Sequence, residues 1–142
     1  MITIRFGLIL LCCFSQPVLA AEQLFTSQPS MMPELAKSGE YQVGVKTIKV
    51  TNPDQLNTTD FSSTKDRVLT LEVWYPAKTG KTADLATYEG VTRLHKPFSL
   101  QGEAMRDAMP VEEGAFPLIV VSHGYTGYRT IMFYLGEHLA SH

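Results

Sequence analysis

Ser122, His123 and Gly124 close an apolar run in "PLIVVSHGYTGYRT", and Gly127 follows three residues later. Glycine has no Cβ, so at Gly124 and Gly127 the chain is free to turn sharply or to approach a ligand closely. Between them, the amides of Tyr125 and Thr126 are in position to face a crevice. A helix starting near Tyr128 would add the positive end of its dipole. Backbone donors and a dipole together make a corner that stabilises an anion. Acyl-transfer chemistry needs such a corner for the oxyanion of its tetrahedral intermediate, where losing one donor costs about 3–4 kcal/mol.

The other chemistry-bearing residues are weaker candidates. His95 sits in a stretch without periodicity, and His138 falls on an apolar helical face, where a structural histidine is expected. His138 and His142 have the i, i+4 spacing of a helical metal pair, but no glutamate stands between them in the arrangement such sites use. Ser122 ends a strand and lacks the glycine spacing of a nucleophile. Trp74 and Tyr75 read as packing residues. Asp54, Asp60, Asp66 and Asp107 read as turn or surface carboxylates, and Glu112-Glu113 as a solvated pair. No cofactor and no metal site is expected.

The elements that must hold the corner follow from hydropathy patterning. Leu118-Ile119-Val120-Val121 is apolar on both parities, the pattern of a parallel strand covered on both faces. The C-terminal end of such a strand faces the crevice where α/β proteins bind ligands. Ile131, Tyr134, Leu135, His138 and Leu139 recur at helical spacing and predict an amphipathic helix. Upstream, Tyr41–Val50 and Arg67–Tyr75 predict two strands forming an antiparallel pair. In the first, Val43 and Val45 have opposite parity to Ile48 and Val50, which suggests a bulge near Lys46–Thr47. In the second, Leu69, Leu71, Val73 and Tyr75 share a face, with Thr70, Glu72 and Trp74 on the other. A polar loop is expected over Thr51–Asp66, a turn over Lys78–Lys81, and an irregular segment over Ala83–Gly114 with a short helix around Gly102–Met109. Asn57-Thr58-Thr59 fits a glycosylation acceptor.

At this point the sequence becomes recognisable. "FPLIVVSHGYTGYRTIMFYLGEHLASH" resembles the third strand, oxyanion loop and first helix of α/β-hydrolases. More closely, it resembles the secreted dienelactone hydrolases and the platelet-activating-factor acetylhydrolase type. "YQVGVKTIKV" and "LTLEVWYPA" are similar to that family's opening antiparallel strands, and the likeness covers most of Tyr41–His142. The resemblance implies an α/β fold, of which this is the N-terminal part of the hydrolase sheet. It implies that the backbone N–H of Tyr125 is one oxyanion donor, with His123 and Gly124 shaping the loop. Arg129 is left either to fix that loop or to meet substrate. The substrate implied is a small-molecule ester, lactone or lipid-like acyl compound.

One part of the family's machinery is missing. No serine has the G-x-S-x-G spacing of a nucleophile elbow. In the family, nucleophile, acid and catalytic histidine all follow the oxyanion loop. The expectation is therefore the front part of a serine or cysteine hydrolase, inactive by itself, with Leu118–Val121 left as an unpaired apolar edge at risk of aggregation. A short exported binding or regulatory remnant of a hydrolase is the alternative.

The N-terminus bounds the rest. Arg5, the apolar run Phe6–Phe14 and the small-residue site Val18-Leu19-Ala20 read as a signal peptide over 1–20, cleaved near Ala20, and hence export. Residues 21–40 read as a surface arm, partly disordered, and 41–142 as the hydrolase part. Cleavage removes Cys12, Cys13 and Arg5. It leaves eleven basic residues against fourteen acidic ones, a net charge of −3. No basic cluster points to nucleic acid, and no second apolar run is long enough to span a bilayer.

Overall fold

The computed structural model describes residues 29–78 and 84–142. The expected signal peptide, the start of the expected arm and most of the turn expected at Lys78–Lys81 lie outside the described residues. Four strands and one helix follow in order: β1 (Gln42–Leu56), β2 (Thr64–Ala77), β3 (Leu85–Val91), β4 (Pro97–Arg106) and α1 (Phe133–Ala140). The strands form one mixed sheet in the order β2-β1-β4-β3. The β1–β2 and β3–β4 pairs are antiparallel, and a short parallel pairing of Gly44 and Val45 with Met105 and Arg106 joins them.

The opening antiparallel pair is as expected, but longer. Its pairing runs without a shift from Gln42↔Ala77 to Asn52↔Arg67, and the irregularity falls between Asn52 and Gln55, not at Lys46–Thr47. The parity change in the sequence has another cause. Val43 and Val45 are buried in the core, while Ile48 pairs with Leu71 and Val50 with Leu69. Those cross-strand pairs lie on the opposite face, where the ribbon extends beyond the core. The expected loop over Thr51–Asp66 shrinks to residues 57–63. There the Asn57 side-chain amide donates to Asp60 and Ser63, and its oxygen accepts from the Thr59 N–H. Asn57 thus organises its own turn. Asp60 also accepts the N–H groups of Ser62 and Ser63, and these bonds hold its carboxyl below the usual range.

The segment read as irregular contains a hairpin. β3 and β4 meet through a Thr92–Lys96 turn in which His95 takes a left-handed φ of 58°. Gly102–Met109 is not a helix, since residues through Arg106 belong to β4. Every second residue there faces the core, but the inward residues include Ala86, Gly102 and Ala104, whose small size gives little hydropathy signal.

The core lies between the sheet and α1. Val43, Val45, Ala86, Tyr88 and Ala104 form it, with Trp74, Leu100, Phe133 and Ala140 packed against it. The Tyr88 ring sits 4.6 Å from that of Phe133 and 6.2 Å from that of Trp74. The helix begins at Phe133, not near Tyr128, and no side chain caps it. Its inward residues are Phe133, Glu137 and Ala140, with Gly136 between them. Of the face predicted from Ile131, Tyr134, Leu135, His138 and Leu139, only Leu135 and His138 are half-buried; Ile131, Tyr134 and Leu139 point outward, with Tyr134 60% exposed. Gly136 permits close approach to the sheet: a Cβ there would lie 2.6 Å from the Trp74 ring.

Leu118–Val121 forms no strand. Its residues are 88, 55, 82 and 51% exposed, against the expectation of burial on both faces. Strands exist by pairing their N–H and C=O groups with a neighbour. Among the described residues, the sheet offers this segment none. The chain leaves the sheet after Pro110, which bridges to Ala77. Beyond that point it is held by the Val111 N–H to the Pro76 carbonyl and by an ion pair of Lys78 with Glu112 at 2.7 Å.

Candidate functional site

The Gly-x-x-Gly loop is a tight turn. The Gly127 N–H donates to the Gly124 carbonyl at 2.9 Å, which makes Tyr125 and Thr126 the two central residues. Thr126 has a φ of 64°. That left-handed conformation is uncommon for any residue with a Cβ, and strained for a β-branched one. The two glycines are not equivalent. A Cβ on Gly127 would lie 2.9 Å from His123 Cβ and 3.0 Å from the Gly124 carbonyl oxygen, whereas one on Gly124 would meet nothing within 4 Å. Of the two glycines, only Gly127 is one that a side chain could not replace without crowding the loop itself.

Tyr125 is fully exposed, and its N–H makes no hydrogen bond to another described residue. His123 Nδ1 lies 3.0 Å from the Gly124 carbonyl, inside the same loop. Ser122 is exposed nearby. With α1 starting at Phe133, the positive end of the helix dipole stands well beyond the turn.

Three contacts tie the loop to the sheet. Arg93, in the β3–β4 turn, donates from Nη2 to Thr126 Oγ1 at 2.9 Å. The rings of Phe98 and Tyr128 meet edge to face at 5.8 Å. Arg129 donates from Nε to Glu72 Oε2 at 2.9 Å. Of the two roles open to Arg129 in the sequence, the structure shows contact with the fold. Glu72 also receives Arg106 on Oε1 and the Thr47 hydroxyl on Oε2. Its side chain is only 2% exposed. Burial pushes its carboxyl up, but the bonds from Arg106, Arg129 and Thr47 outweigh that, and it sits below the ordinary carboxylate range. Thr47, Glu72, Arg106, Arg129 and Thr130 line a pocket of about 270 Å³. A cavity of about 430 Å³ lies along Glu89–Val91 and Pro97–Ser99, on the β3–β4 hairpin.

A second polar chain runs under the helix. Trp74 Nε1 donates to the Tyr88 hydroxyl at 2.8 Å, and Tyr88 donates to Glu137 Oε1 at 2.7 Å. The N–H groups of Glu103 and Ala104 also donate to the Glu137 carboxyl, at 3.1–3.2 Å. Burial, and the Glu137 carboxyl beside it, push the Tyr88 hydroxyl far up. Sequence reasoning missed both Glu72 and Glu137. The signal for Glu137 was its position between Phe133 and Ala140 at helical spacing.

The remaining sequence candidates are dispersed. The His138 and His142 rings meet edge to face with centroids 4.8 Å apart. No group of three or more potential metal ligands occurs among the described residues. Asp54, at the irregularity of β1, and Asp107, in the turn after β4, both have a left-handed φ. Among the described residues no helix is long and apolar enough to cross a membrane.

A mixed sheet with antiparallel opening strands, one helix on its face and a Gly-x-x-Gly loop between them is compatible with part of an α/β-hydrolase-like fold. Residues 26–142 match the family described as platelet-activating factor acetylhydrolase, isoform II, and the chain belongs to that family. No curated protein and no solved structure gave a match.

Proposed function

We propose that this chain forms the front part of an exported hydrolase of ester bonds, in which the Tyr125 N–H is one donor to the oxyanion. The observation that carries the reading is a backbone donor with no partner among the described residues, at the centre of a tethered turn, in a chain of this family. His123 and Gly127 shape the turn, and Gly124 leaves open space beside the donor. The substrate is a small ester or lipid-like acyl compound. The signal-like residues 1–20 precede the family match, which begins at residue 26, and this supports export.

The nucleophile must come from outside these residues, because no serine or cysteine among the 142 has the elbow spacing. Two measurements test this. The 142-residue chain is expected to turn over no chromogenic ester and to take no label from a fluorophosphonate; turnover or labelling would overturn the assignment of the nucleophile. Coding DNA beyond the His142 codon is expected to carry an elbow, then an acid and a histidine. A stop with no such motif in any frame would remove the enzyme reading and favour the non-catalytic remnant.

A further inference from the structure

Thr126 holds a conformation that costs about 1–3 kcal/mol for a residue with a Cβ and persists only where its surroundings over-determine it. The hydrogen bond from Arg93 and the Phe98–Tyr128 ring contact are two constraints on that loop. The third reaches deepest. The Glu72 carboxylate is fixed on the sheet by Thr47 of β1 and Arg106 of β4, and Arg106 in turn lies over the Tyr88 ring at 5.8 Å. With its remaining capacity it takes Arg129, two residues beyond the glycine that closes the turn. A buried carboxylate satisfied from two strands is a rigid anchor, whereas an exposed partner would cost entropy to hold.

We propose that Glu72 is a positioning residue for the Tyr125 donor: through Arg129 it holds the Gly124–Gly127 turn in register with the sheet. The proposal rests on reading the Tyr125 N–H as an oxyanion donor, but its test needs no substrate. Amide hydrogen exchange on the 142-residue chain reads the Gly127 N–H, which closes the turn. In Glu72→Gln and in Arg129→Gln this exchange should rise about tenfold or more, as expected for losing one hydrogen bond between charged groups. The double variant should be no faster than either single one, because both cut the same link. Amides of the β1–β2 ladder should keep their protection in Arg129→Gln, which leaves Glu72 its bonds to Arg106 and Thr47.

An unchanged Gly127 rate in either variant would overturn the proposal, as would additive effects or a loss confined to the ladder. A failed ester assay would leave this result standing, and an unmoved loop would leave the ester reading standing.

Discussion

Two regions of this molecule handle their polar groups in opposite ways. Under the helix, Trp74, Tyr88, Glu137 and the amides of Glu103 and Ala104 form a closed chain of hydrogen bonds inside a core of small and aromatic residues. From Gly114 to Tyr125 the chain leaves apolar side chains in solvent and a backbone donor unmatched among the described residues. The first region is where stability resides, since an orphaned buried group there loses its full solvation. The second contributes little to stability, and it is the region to which the proposed function assigns the chemistry. The turn at Gly124–Gly127 adjoins it but is tied to the sheet through Arg93, Tyr128 and Arg129.

Substitutions sharpen that contrast, and the largest effect is expected at Glu137. Glu137→Ala orphans the Tyr88 hydroxyl and two backbone N–H groups, each worth about 1–3 kcal/mol. Urea unfolding followed by the single tryptophan, Trp74, should show a midpoint shift that consumes much of a typical domain's stability. An unaltered midpoint would mean that the closed network is not what holds helix to sheet. Gly136→Ala comes next. Its Cβ would press on the Trp74 ring at 2.6 Å, and overpacking of that kind costs roughly 1–3 kcal/mol. A shift in Trp74 emission should accompany it.

Glu72 makes stability depend on pH. Its folded pKa lies below the ordinary value, so its contribution is present above the unfolded-state pKa and is lost as pH falls through the folded one. Denaturation midpoints should drop across that acid window in the parent chain and less steeply in Glu72→Gln. In the turn, Gly127→Ala should destabilise the loop and Gly124→Ala should not, a difference readable in the amide spectra of residues 123–130. The smallest effect belongs to the exposed segment: Val120→Asp should change stability by no more than about 0.5 kcal/mol. A large loss there would mean that Val120 is covered in solution.

How much of this was legible in the sequence depends on what each element uses for its core. β1 and β2 announced themselves because Val43, Val45, Leu69, Leu71 and Val73 alternate. β3 and β4 did not, because the small inward residues Ala86, Gly102 and Ala104 interrupt the inward series of Tyr88, Phe98 and Leu100 and blur its alternation. The helix was legible as an element, but its inward face was not. The apolar stripe of Ile131, Tyr134 and Leu139 is the outward one, and the inward face depends on a glycine and a glutamate. Leu118–Val121 has the composition of a buried strand. Composition alone cannot supply the neighbour that a strand must pair with, and among the described residues the sheet does not. In the candidate site, the Gly-x-x-Gly spacing gave the turn, while the choice of Gly127 over Gly124 required atomic contacts. Glu72 was read only as a member of the strand face opposite Leu71. Its partners Thr47, Arg106 and Arg129 are 25, 34 and 57 residues away along the chain.

The central claim is that the Tyr125 N–H serves chemistry and not the fold, and Tyr125→Pro tests it most directly. Proline removes the N–H and suits the second position of a tight turn, and here it breaks no hydrogen bond to a described residue. On the proposed reading, in which an elbow lies beyond His142, the substitution made in that longer protein should leave the unfolding midpoint in place. It should lower kcat for ester hydrolysis by about 10²–10³-fold, the size seen when one oxyanion donor is lost. An unchanged kcat at an unchanged midpoint would contradict the account.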